Sequence, residues 1–348
     1  MNSVACFVGL DYHQNAVQVC VLDAQGQQRL NRSCRNDWQA IAQTVATVGT
    51  VQAAAVEACG GSANLAEELR HKAHWPVHLA HAGYVAHLKK SPDKSDYSDG
   101  RLLADLTRVG YLPQVYLASA YERDLRALVA FRQSLVEQRR ALKLRVGALL
   151  REQRAFPPEG LVGPGRWTRR WLTWARQAAE LSPQGRWIIG ELLDQLPALQ
   201  QRIGSVEARL EQATVQDAKV QQLRREAGIG PVTAWVLRAL VGRFDRFAHG
   251  KQLSRYCGLS PCNASSGVRQ ADAGLIDGCN KLLRATVIQA AHRLIRTQKR
   301  WQDLAGSLRR RGKPASVAVA AVANRWMRGL WHRQREPQAL AQKPVRKA

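Results

Sequence analysis

The sequence predicts an α/β domain at the N-terminus, a helical middle region and a mainly α C-terminal domain. Short apolar and alternating runs fill the first eighty residues, whereas heptad-spaced leucines come later in the chain. Charge divides in a similar place, because residues 1–120 hold 10 Lys and Arg against 10 Asp and Glu. The whole chain holds 52 against 27, so the later residues carry the entire net charge of +25. Basicity of this size indicates a polyanionic partner.

Five short segments near the N-terminus have the apolar or alternating pattern of β-strands. They are residues 4–10, 16–22, 28–34, 51–56 and 77–80. Asp37 is placed to cap a helix that runs to about Val48, and Gly60-Gly61-Ser62 opens a second helix before the fifth strand. Three strands, a helix, a strand, a helix and a strand is the element order of a ribonuclease-H-like sheet.

Two long helices are predicted in the middle of the chain. Residues 121–153 repeat leucine every seven positions, and residues 191–215 carry a second apolar seam. Pro197 lies near the start of the second seam, which predicts that the continuous helix begins around that residue. The seams fit either an antiparallel hairpin or a coiled coil between subunits. Their length favours a homo-oligomer, a dimer or a tetramer on nucleic acid.

A segment rich in Trp and Arg separates the two seams. Its three tryptophans have helical spacing, which fits a packed aromatic face. The alternative is that arginines contact phosphates while tryptophans stack on unpaired bases. The candidate nucleic-acid contacts on that interpretation are Arg166, Arg169 and Arg170.

Four acidic residues stand where predicted elements begin or end. Asp11 follows the first strand and Glu57 follows the fourth. Asp96 and Asp99 are three residues apart, so they share one face of a helix that Ser95 is placed to cap. Carboxylates are suitable ligands for Mg²⁺, and a pair of ions about 4 Å apart serves phosphoryl transfer. We expect the four to form one magnesium site.

Two glycine motifs stand out in the basic C-terminal region. Gly228 and Gly230 frame a helix–hairpin–helix-like turn, where backbone N–H groups at a helix start could bind phosphate. Farther on, Ser265-Ser266-Gly267 forms a small-residue loop, and a serine in such a loop is usually a turn residue. An ordinary helix–helix turn is the alternative for the first motif.

Taken together, these motifs resemble the insertion sequence one-ten family of DEDD transposases, which includes the Piv-type invertases. The N-terminal match consists of Gly9-Leu10-Asp11, of Val56-Glu57 followed by Ala58-Cys59-Gly60-Gly61, and of Lys94-Ser95-Asp96 with Asp99. The C-terminal match consists of Ala227 to Pro231, Tyr256 to Pro261, Ser266-Gly267 and Asn280-Lys281 with Leu283-Arg284. The resemblance covers roughly residues 4–110 and 220–300, in the family's order.

The resemblance implies an RNA-guided serine recombinase. It implies a Holliday-junction-resolvase-like domain with metal ligands Asp11, Glu57, Asp96 and Asp99, and a C-terminal domain with Ser266 as the catalytic nucleophile. Lys281 and Arg284 become candidate nucleic-acid contacts beside Gly228 and Gly230. The implied partners are DNA at the element ends and target, and a structured non-coding (bridge) RNA.

We therefore expect four regions along the chain. They are a DEDD catalytic domain at 1–118, a helical coiled-coil linker at 119–218, a transposase domain at 219–335 and a disordered basic tail at 336–348. The seven cysteines are odd in number and lack a C-x-x-C pair, which indicates a reducing compartment. Neither a signal peptide nor a membrane-spanning run is visible, so the expected location is cytoplasmic and nucleoid-associated.

Other functions compete with this prediction. A junction-resolvase-like nuclease would use the carboxylates and water only, and a nucleic-acid-binding protein would use neither. An actin- or sugar-kinase-like ATPase also ends its first strand in Gly-x-Asp, but it needs a second Gly-rich phosphate loop, and no convincing one follows here.

Overall fold

The computed structural model describes residues 4–88, 96–263 and 272–335. Contacts divide the chain into two compact units, Met1–Ala120 and Tyr121–Ala348. Each unit has its own hydrophobic core and is described by itself.

Unit 1 contains a six-stranded sheet in the order β3-β2-β1-β4-β5-β6. Pairing is antiparallel between β1 and β2, β2 and β3, and β5 and β6, and it is parallel where β4 meets β1 and β5. The strands are Ala5–Tyr12 (β1), Ala16–Asp23 (β2), Gln28–Arg35 (β3), Thr50–Glu57 (β4), Val77–Ala80 (β5) and Gln114–Val115 (β6). The five predicted strands are confirmed to within a residue or two, and β6 was not predicted.

Helices cover both faces of this sheet. The helices are Trp38–Ala46 (α1), Ser62–Lys72 (α2), Ala82–Leu88 (α3) and Asp96–Arg108 (α4). Side chains of α1 and α2 pack on alternate strand residues such as Val8 and Leu10. Leu103 and Ala104 of α4 pack on the residues between, including Ala55. Because successive strand residues point to opposite faces, α4 covers the face on which Gly9 and Asp11 lie.

The described residues of unit 2 are helical apart from one small pair of strands. The long helices are Ala120–Glu152 (α5) and Pro183–Thr214 (α7), with Arg169–Gln177 (α6) between them. The later helices are Ala218–Arg224 (α8), Pro231–Leu240 (α9), Gly250–Tyr256 (α10), Lys281–Thr297 (α11), Lys299–Arg310 (α12) and Ala315–Gln334 (α13). Strands Pro261–Asn263 (β7) and Asp272–Leu275 (β8) pair antiparallel. A mixed α/β sheet domain followed by a helical region is therefore the architecture of the chain.

Helices α5 and α7 form an antiparallel hairpin within one chain. Arg132 on α5 pairs with Glu207 on α7 at 2.7 Å, and Arg139 donates a hydrogen bond to Gln200. Leu135 and Ile203, one residue from each predicted seam, are at most 2% exposed in the shared core. The seams are thus covered inside the chain, and their length is no longer an argument for a second subunit.

The predicted start of the second long helix is wrong. The helix begins at Pro183, where Ser182 accepts a hydrogen bond from the Gly185 N–H, and it continues through Pro197. A proline removes one backbone hydrogen bond in a helix interior. Packing of Ile189 and Leu193 on one side of Pro197 and Leu199 on the other outweighs that loss.

None of the helices within residues 4–88, 96–263 and 272–335 is both long and apolar enough to cross a membrane.

Candidate metal centre and nucleic-acid contacts

Asp11 and Glu57 lie at the ends of neighbouring parallel strands. The register pairs Gly9 with Ala55 and Leu10 with Val56, and the next residue on each strand is the acid. Paired residues of parallel strands share a face, so both carboxylates lie at the same edge of the sheet, on the α4 face. The sequence predicted that Asp11 and Glu57 stand at strand ends, and the structure places them at the ends of β1 and β4.

Helix α4 approaches β1 at a glycine. A Cβ atom built on Gly9 would lie 2.5 Å from the Ala104 backbone nitrogen and would overlap the Gly100 carbonyl oxygen. No side chain fits between the two backbones, so Gly9 sets how close α4 comes to the sheet. This close approach carries the first turn of α4, with Asp96 and Asp99, toward the end of β1.

A histidine connects the two elements. His13 Nε2 lies 3.3 Å from an oxygen of Asp11 and 3.3 Å from an oxygen of Asp96. One ligand atom from each of these three residues lies within 4.8 Å of the others. Asp99, one turn along α4, is buried with 6% exposure. The structure therefore brings Asp11 and Asp96 together, as the sequence predicted, around a histidine that it did not predict.

The carboxylates also act on one another electrostatically. Burial raises the pKa of Asp11 most, His13 lowers it, and the charges of Asp99 and Asp96 raise it further. Partial burial likewise raises the pKa of the Cys59 thiol, and Glu57 and Asp11 are among the charges that add to the rise. The charges of Asp96 and Asp99 thus act on Asp11, and the charges of Glu57 and Asp11 both act on Cys59. A cluster of negative charge of this kind favours a bound cation.

These side chains fit a divalent metal ion. Two carboxylates and an imidazole within 4.8 Å offer oxygen and nitrogen donors, and Glu57 and the buried Asp99 lie on the same face of the sheet. A metal ion held there would offset both the burial of the Asp11 charge, which raises its pKa most, and the repulsion from Asp99 and Asp96. Oxygen-rich sites of this type suit Mg²⁺ or Mn²⁺.

Asp11→Asn is expected to raise the unfolding temperature of the metal-free protein at neutral pH. Since the folded pKa of Asp11 is raised, its ionised form costs stability above that pKa, and the cost fades as the pH falls through it. An amide of the same shape removes the cost. Thermal unfolding in a chelator measures the shift. Added Mg²⁺ should then stabilise the wild type and not the variant.

Asp105→Asn is the matched control, since Asp105 lies on α4 in a partly exposed ion pair with Arg108. Such surface pairs contribute about 0–1 kcal/mol. If Asp11→Asn destabilised the metal-free protein more than this control did, Asp11 would be a structural residue rather than a strained ligand.

The serine motif lies outside the described residues. Ser265 and Ser266 fall in the chain between β7 and β8, and the structure defines the base of that hairpin, where Pro261 pairs with Leu275. Neither the geometry nor the role of Ser266 is therefore observed.

Arg284 is tied to the base of the same hairpin. Its guanidinium donates to the Ile276 carbonyl and lies 2.7 Å from the Cys279 sulfur. Gly258 has a φ of +71°, and a Cβ built on it would lie 2.7 Å from Arg284 Nε. Arg284 thus orders the segment after β8, while Lys281 is exposed in the first turn of α11. Contacts of either residue with nucleic acid stay predictions.

The predicted glycine turn joins α8 to α9. Gly228 has a φ of +84°, and Gly230 immediately precedes the first residue of α9. An Arg293 nitrogen lies 3.4 Å from where a Cβ of Gly230 would be, so a cation stands beside this helix start. The arrangement suits an anion, because helix N-termini and cations both favour negative charge.

The tryptophans between the long helices are mostly packed. Trp171 is 2% exposed, and its ring lies 4.3 Å from that of Trp167 and 5.7 Å from that of Trp174. The packed aromatic face is therefore the better description of this helix. Arg166, Arg169 and Arg170 are exposed, so they remain available to a partner.

The chain was compared with known proteins. Residues 8–155 match a family of DEDD domains described as "Transposase", and residues 220–305 match "Transposase IS116/IS110/IS902 family". A "Probable family 20 transposase" of Pseudomonas aeruginosa is 31% identical over 80% of this chain and 82% of its own length. The chain belongs to the IS110 family of transposases.

Other relatives of this IS110 family chain are insertion-sequence proteins. The "Transposase for insertion sequence element IS1111A" of Coxiella burnetii is 28% identical over 93% of this chain and 88% of its own length. The "Transposase for insertion sequence element IS1328" of Yersinia enterocolitica is 24% identical over 80% and 82%. Membership makes the protein an enzyme that acts on DNA, as the sequence motifs predicted.

The sequence motifs did not reveal His13 as part of the site. It follows Asp11 by two residues, and alternate residues of an extended chain point to the same side. That spacing was the available signal. Gly9 belongs to the Gly9-Leu10-Asp11 motif, but its close contact with α4 depends on the packing of the folded unit.

Proposed function

We propose that this protein is the transposase of an insertion sequence and exchanges DNA strands with a metal centre and a serine nucleophile. The proposed ligands of a pair of Mg²⁺ ions are Asp11, Glu57, Asp96 and Asp99, with His13 beside them. The observation that carries the proposal is the convergence of Asp11 and Asp96 on His13 at the end of β1. The strand order of unit 1 supports the finer assignment to a ribonuclease-H-like, Holliday-junction-resolvase-like domain.

The proposed reaction is a phosphoryl transfer through Ser266. The Ser266 oxygen attacks a DNA phosphorus atom and loses its proton, a phosphoserine bond forms, and one phosphodiester P–O bond breaks. The departing deoxyribose oxygen takes up a proton, and a strand hydroxyl later attacks the phosphoserine to release the serine. A serine hydroxyl has a high pKa and needs activation, which carboxylate-held metal supplies together with stabilisation of the leaving oxygen.

The proposed partners are DNA at the element ends and target, and a structured non-coding RNA that guides the choice of site. Support for both comes from the charge, since the net +25 falls in the residues after 120. The guide RNA rests also on the family resemblance. Gly228 and Gly230 are proposed to bind backbone phosphate, with Arg293 nearby.

We also propose that the protein acts on nucleic acid as a homo-oligomer, either a dimer or a tetramer. The leucine seams no longer support it, since they pair within the chain. Exposed apolar side chains on the two long helices do support it. They are Phe131 and Leu144 on α5 and Trp187 and Ile188 on α7.

A Holliday-junction-resolvase-like nuclease is the second candidate function. It would use the same carboxylates with water as the nucleophile, and the arrangement around Asp11 fits it equally well. The two functions differ in one product, because only the serine reaction passes through a covalent protein–DNA bond.

Ser266→Ala is therefore expected to abolish covalent protein–DNA adducts, while Ser265→Ala keeps them. Cells would carry the gene on a plasmid with its native flanking DNA, and adducts would be recovered by denaturing precipitation. Nuclease digestion and mass spectrometry then locate the modified serine. Adducts that persist in Ser266→Ala and vanish in Ser265→Ala would mean that the neighbouring serine is the nucleophile. Strand exchange unaffected by either change would favour the nuclease.

A further inference from the structure

Four cations surround one small cavity beside α5 in unit 2. The cavity has a volume of about 360 Å³, and its walls include Val136, Arg139, Arg140, Lys143, Arg166 and Trp167. Among the described residues that line it, four are basic and none is acidic. The volume is within the range of pockets that hold small molecules.

An aromatic ring forms part of the cavity wall. The Trp167 ring lies 4.7 Å from the Lys143 ammonium and 5.5 Å from the Arg166 guanidinium, measured to the ring centroid. Leu144, which is 61% exposed, adds an apolar rim. The cavity thus combines an aromatic and aliphatic wall with a ring of positive charge.

Trp167 is held in a strained backbone conformation. Its φ is +66°, in the left-handed region that bulky residues rarely adopt. Packing of its ring on Trp171 at 4.3 Å helps to hold it there. Strain of this kind persists where the surroundings fix a side chain in a required place, and it often marks a functional position.

The cations of the cavity repel one another. Burial lowers the pKa of Lys143 most, and the charges of Arg139 and Arg166 lower it further. Arg166 also reaches α5, since a Cβ built on Gly147 would lie 2.8 Å from its guanidinium. An anion in the cavity would offset this repulsion and draw the flexible Lys143 and Arg166 side chains off the indole, which would open the ring to a flat base.

We propose that this cavity binds an unpaired nucleotide of a single-stranded nucleic acid. The base packs against Trp167, and the adjoining phosphates pair with Arg139, Arg140, Lys143 and Arg166. Stacking on an aromatic side chain requires an unpaired base, because a base inside a duplex has both faces covered. The inference deepens the proposed function and rests on it for the class of partner.

The proposed contact differs from the alternative that the sequence offered for this segment, in which its tryptophans stack on unpaired bases. Trp171 is buried in the core that α6 shares with α5 and α7, so it offers no free ring to a base. Trp167 is the tryptophan that lines the cavity, and three of the four cations around it lie on α5. Arg169 and Arg170 do not line the cavity.

The test uses the full-length protein in a chelator, so that no strand is cut. Fluorescence anisotropy would measure the affinity for oligodeoxythymidylate, oligouridylate, an abasic oligodeoxynucleotide and a duplex of equal length. We expect the two base-containing single strands to bind about five-fold or more tightly than the abasic strand. The tighter of the two identifies DNA or RNA as the source of the nucleotide.

Trp167→Gly is the decisive variant, because glycine adopts the left-handed backbone without strain. It should remove the difference between base-containing and abasic strands, and Trp167→Phe should restore part of it. Tyr111→Ala is the control, since Tyr111 is a 70% exposed aromatic residue of unit 1 that does not line the cavity. Unchanged thermal unfolding of Trp167→Gly shows that the unit is folded.

Lys143→Gln tests the phosphate contacts. The affinity for single strands falls with salt concentration, and this variant should make the slope of log affinity against log salt less steep by about 0.7. Arg209→Gln, an exposed change of the same charge on α7, should leave that slope nearly unchanged. Three results would each overturn the proposal. The wild type could bind the abasic strand or the duplex as tightly as the base-containing single strands. The control variants could also lose as much affinity or salt dependence as Trp167→Gly or Lys143→Gln does. Loss of strand exchange does not affect this assay, so failure of the proposed chemistry is distinguishable.

Discussion

Asp11→Asn is expected to reduce DNA strand exchange by about a thousand-fold while leaving nucleic-acid binding nearly intact. Asp11 shares His13 with Asp96 and feels the charges of Asp96 and Asp99, so it stands at the centre of the acidic cluster. A metal ion contributes several kcal/mol to phosphoryl transfer, and about 4 kcal/mol corresponds to about a thousand-fold in rate. Excision from a plasmid with the native flanking DNA measures the rate.

Asp105→Asn supplies the comparison for this prediction as well. Asp105 is an acid on the same helix, but it pairs with Arg108 at 2.6 Å instead of joining the cluster. We expect excision within about two-fold of wild type for this variant, because a surface pair has little energetic effect. Excision by Asp11→Asn at the level of this control would remove Asp11 from the reaction.

Gly9→Ala is expected to lower strand exchange by about a hundred-fold without unfolding the protein. The added methyl group would collide with the backbone of α4 at Gly100 and Ala104, so the helix must shift away from β1. Overpacking of this kind costs about 1–3 kcal/mol of stability. The shift also displaces Asp96 and Asp99, and a misplacement of about 1 Å can reduce a rate by about a hundred-fold.

Gly204→Ala is the matched control for this substitution. Gly204 lies within α7, and a Cβ built there meets nothing within 4 Å. Its replacement should be neutral or slightly stabilising, since alanine favours helix more than glycine does. Thermal unfolding and excision would be measured on both variants. Normal excision by Gly9→Ala would show that the spacing of α4 and β1 does not control the site.

The sequence predicted most of the sheet because its strands have a clear pattern. Segments such as Val51 to Val56 are apolar and bounded by turn residues, and central parallel strands are buried on both faces. The edge strand Gln114–Val115 has only two residues, which is too short for any periodic pattern. Pro197 misled the prediction of a helix start, because tertiary packing overrode a local preference.

The sequence could not predict whether the leucine seams pair with each other within one chain or with a second subunit. An antiparallel hairpin and a coiled coil between subunits need the same apolar spacing, and only contacts such as Arg132 with Glu207 distinguish them. The same limit applies to the cavity at Trp167. Its cations come from two segments more than twenty residues apart, and no local motif connects Lys143 with Arg166.

The candidate metal site was partly predictable for a similar reason. Strand ends place Asp11 and Glu57 together by topology, and helical spacing places Asp96 near Asp99. The close approach of α4 at Gly9 and the bridging position of His13 depend on tertiary contacts. Ser266 lies outside the described residues, so its assignment remains a prediction from the family resemblance.

The acidic cluster of unit 1 is proposed to hold the metal ion. Fe²⁺ with ascorbate and peroxide, substituted for Mg²⁺, cuts a polypeptide backbone next to the bound ion, and mass spectrometry locates the cuts. We expect cleavage near Asp11, Glu57 and Asp96 to Asp99, suppressed by excess Mg²⁺ and absent in Asp11→Asn. Cleavage elsewhere in the chain, or cleavage at these residues that persists in Asp11→Asn and ignores Mg²⁺, would contradict the account.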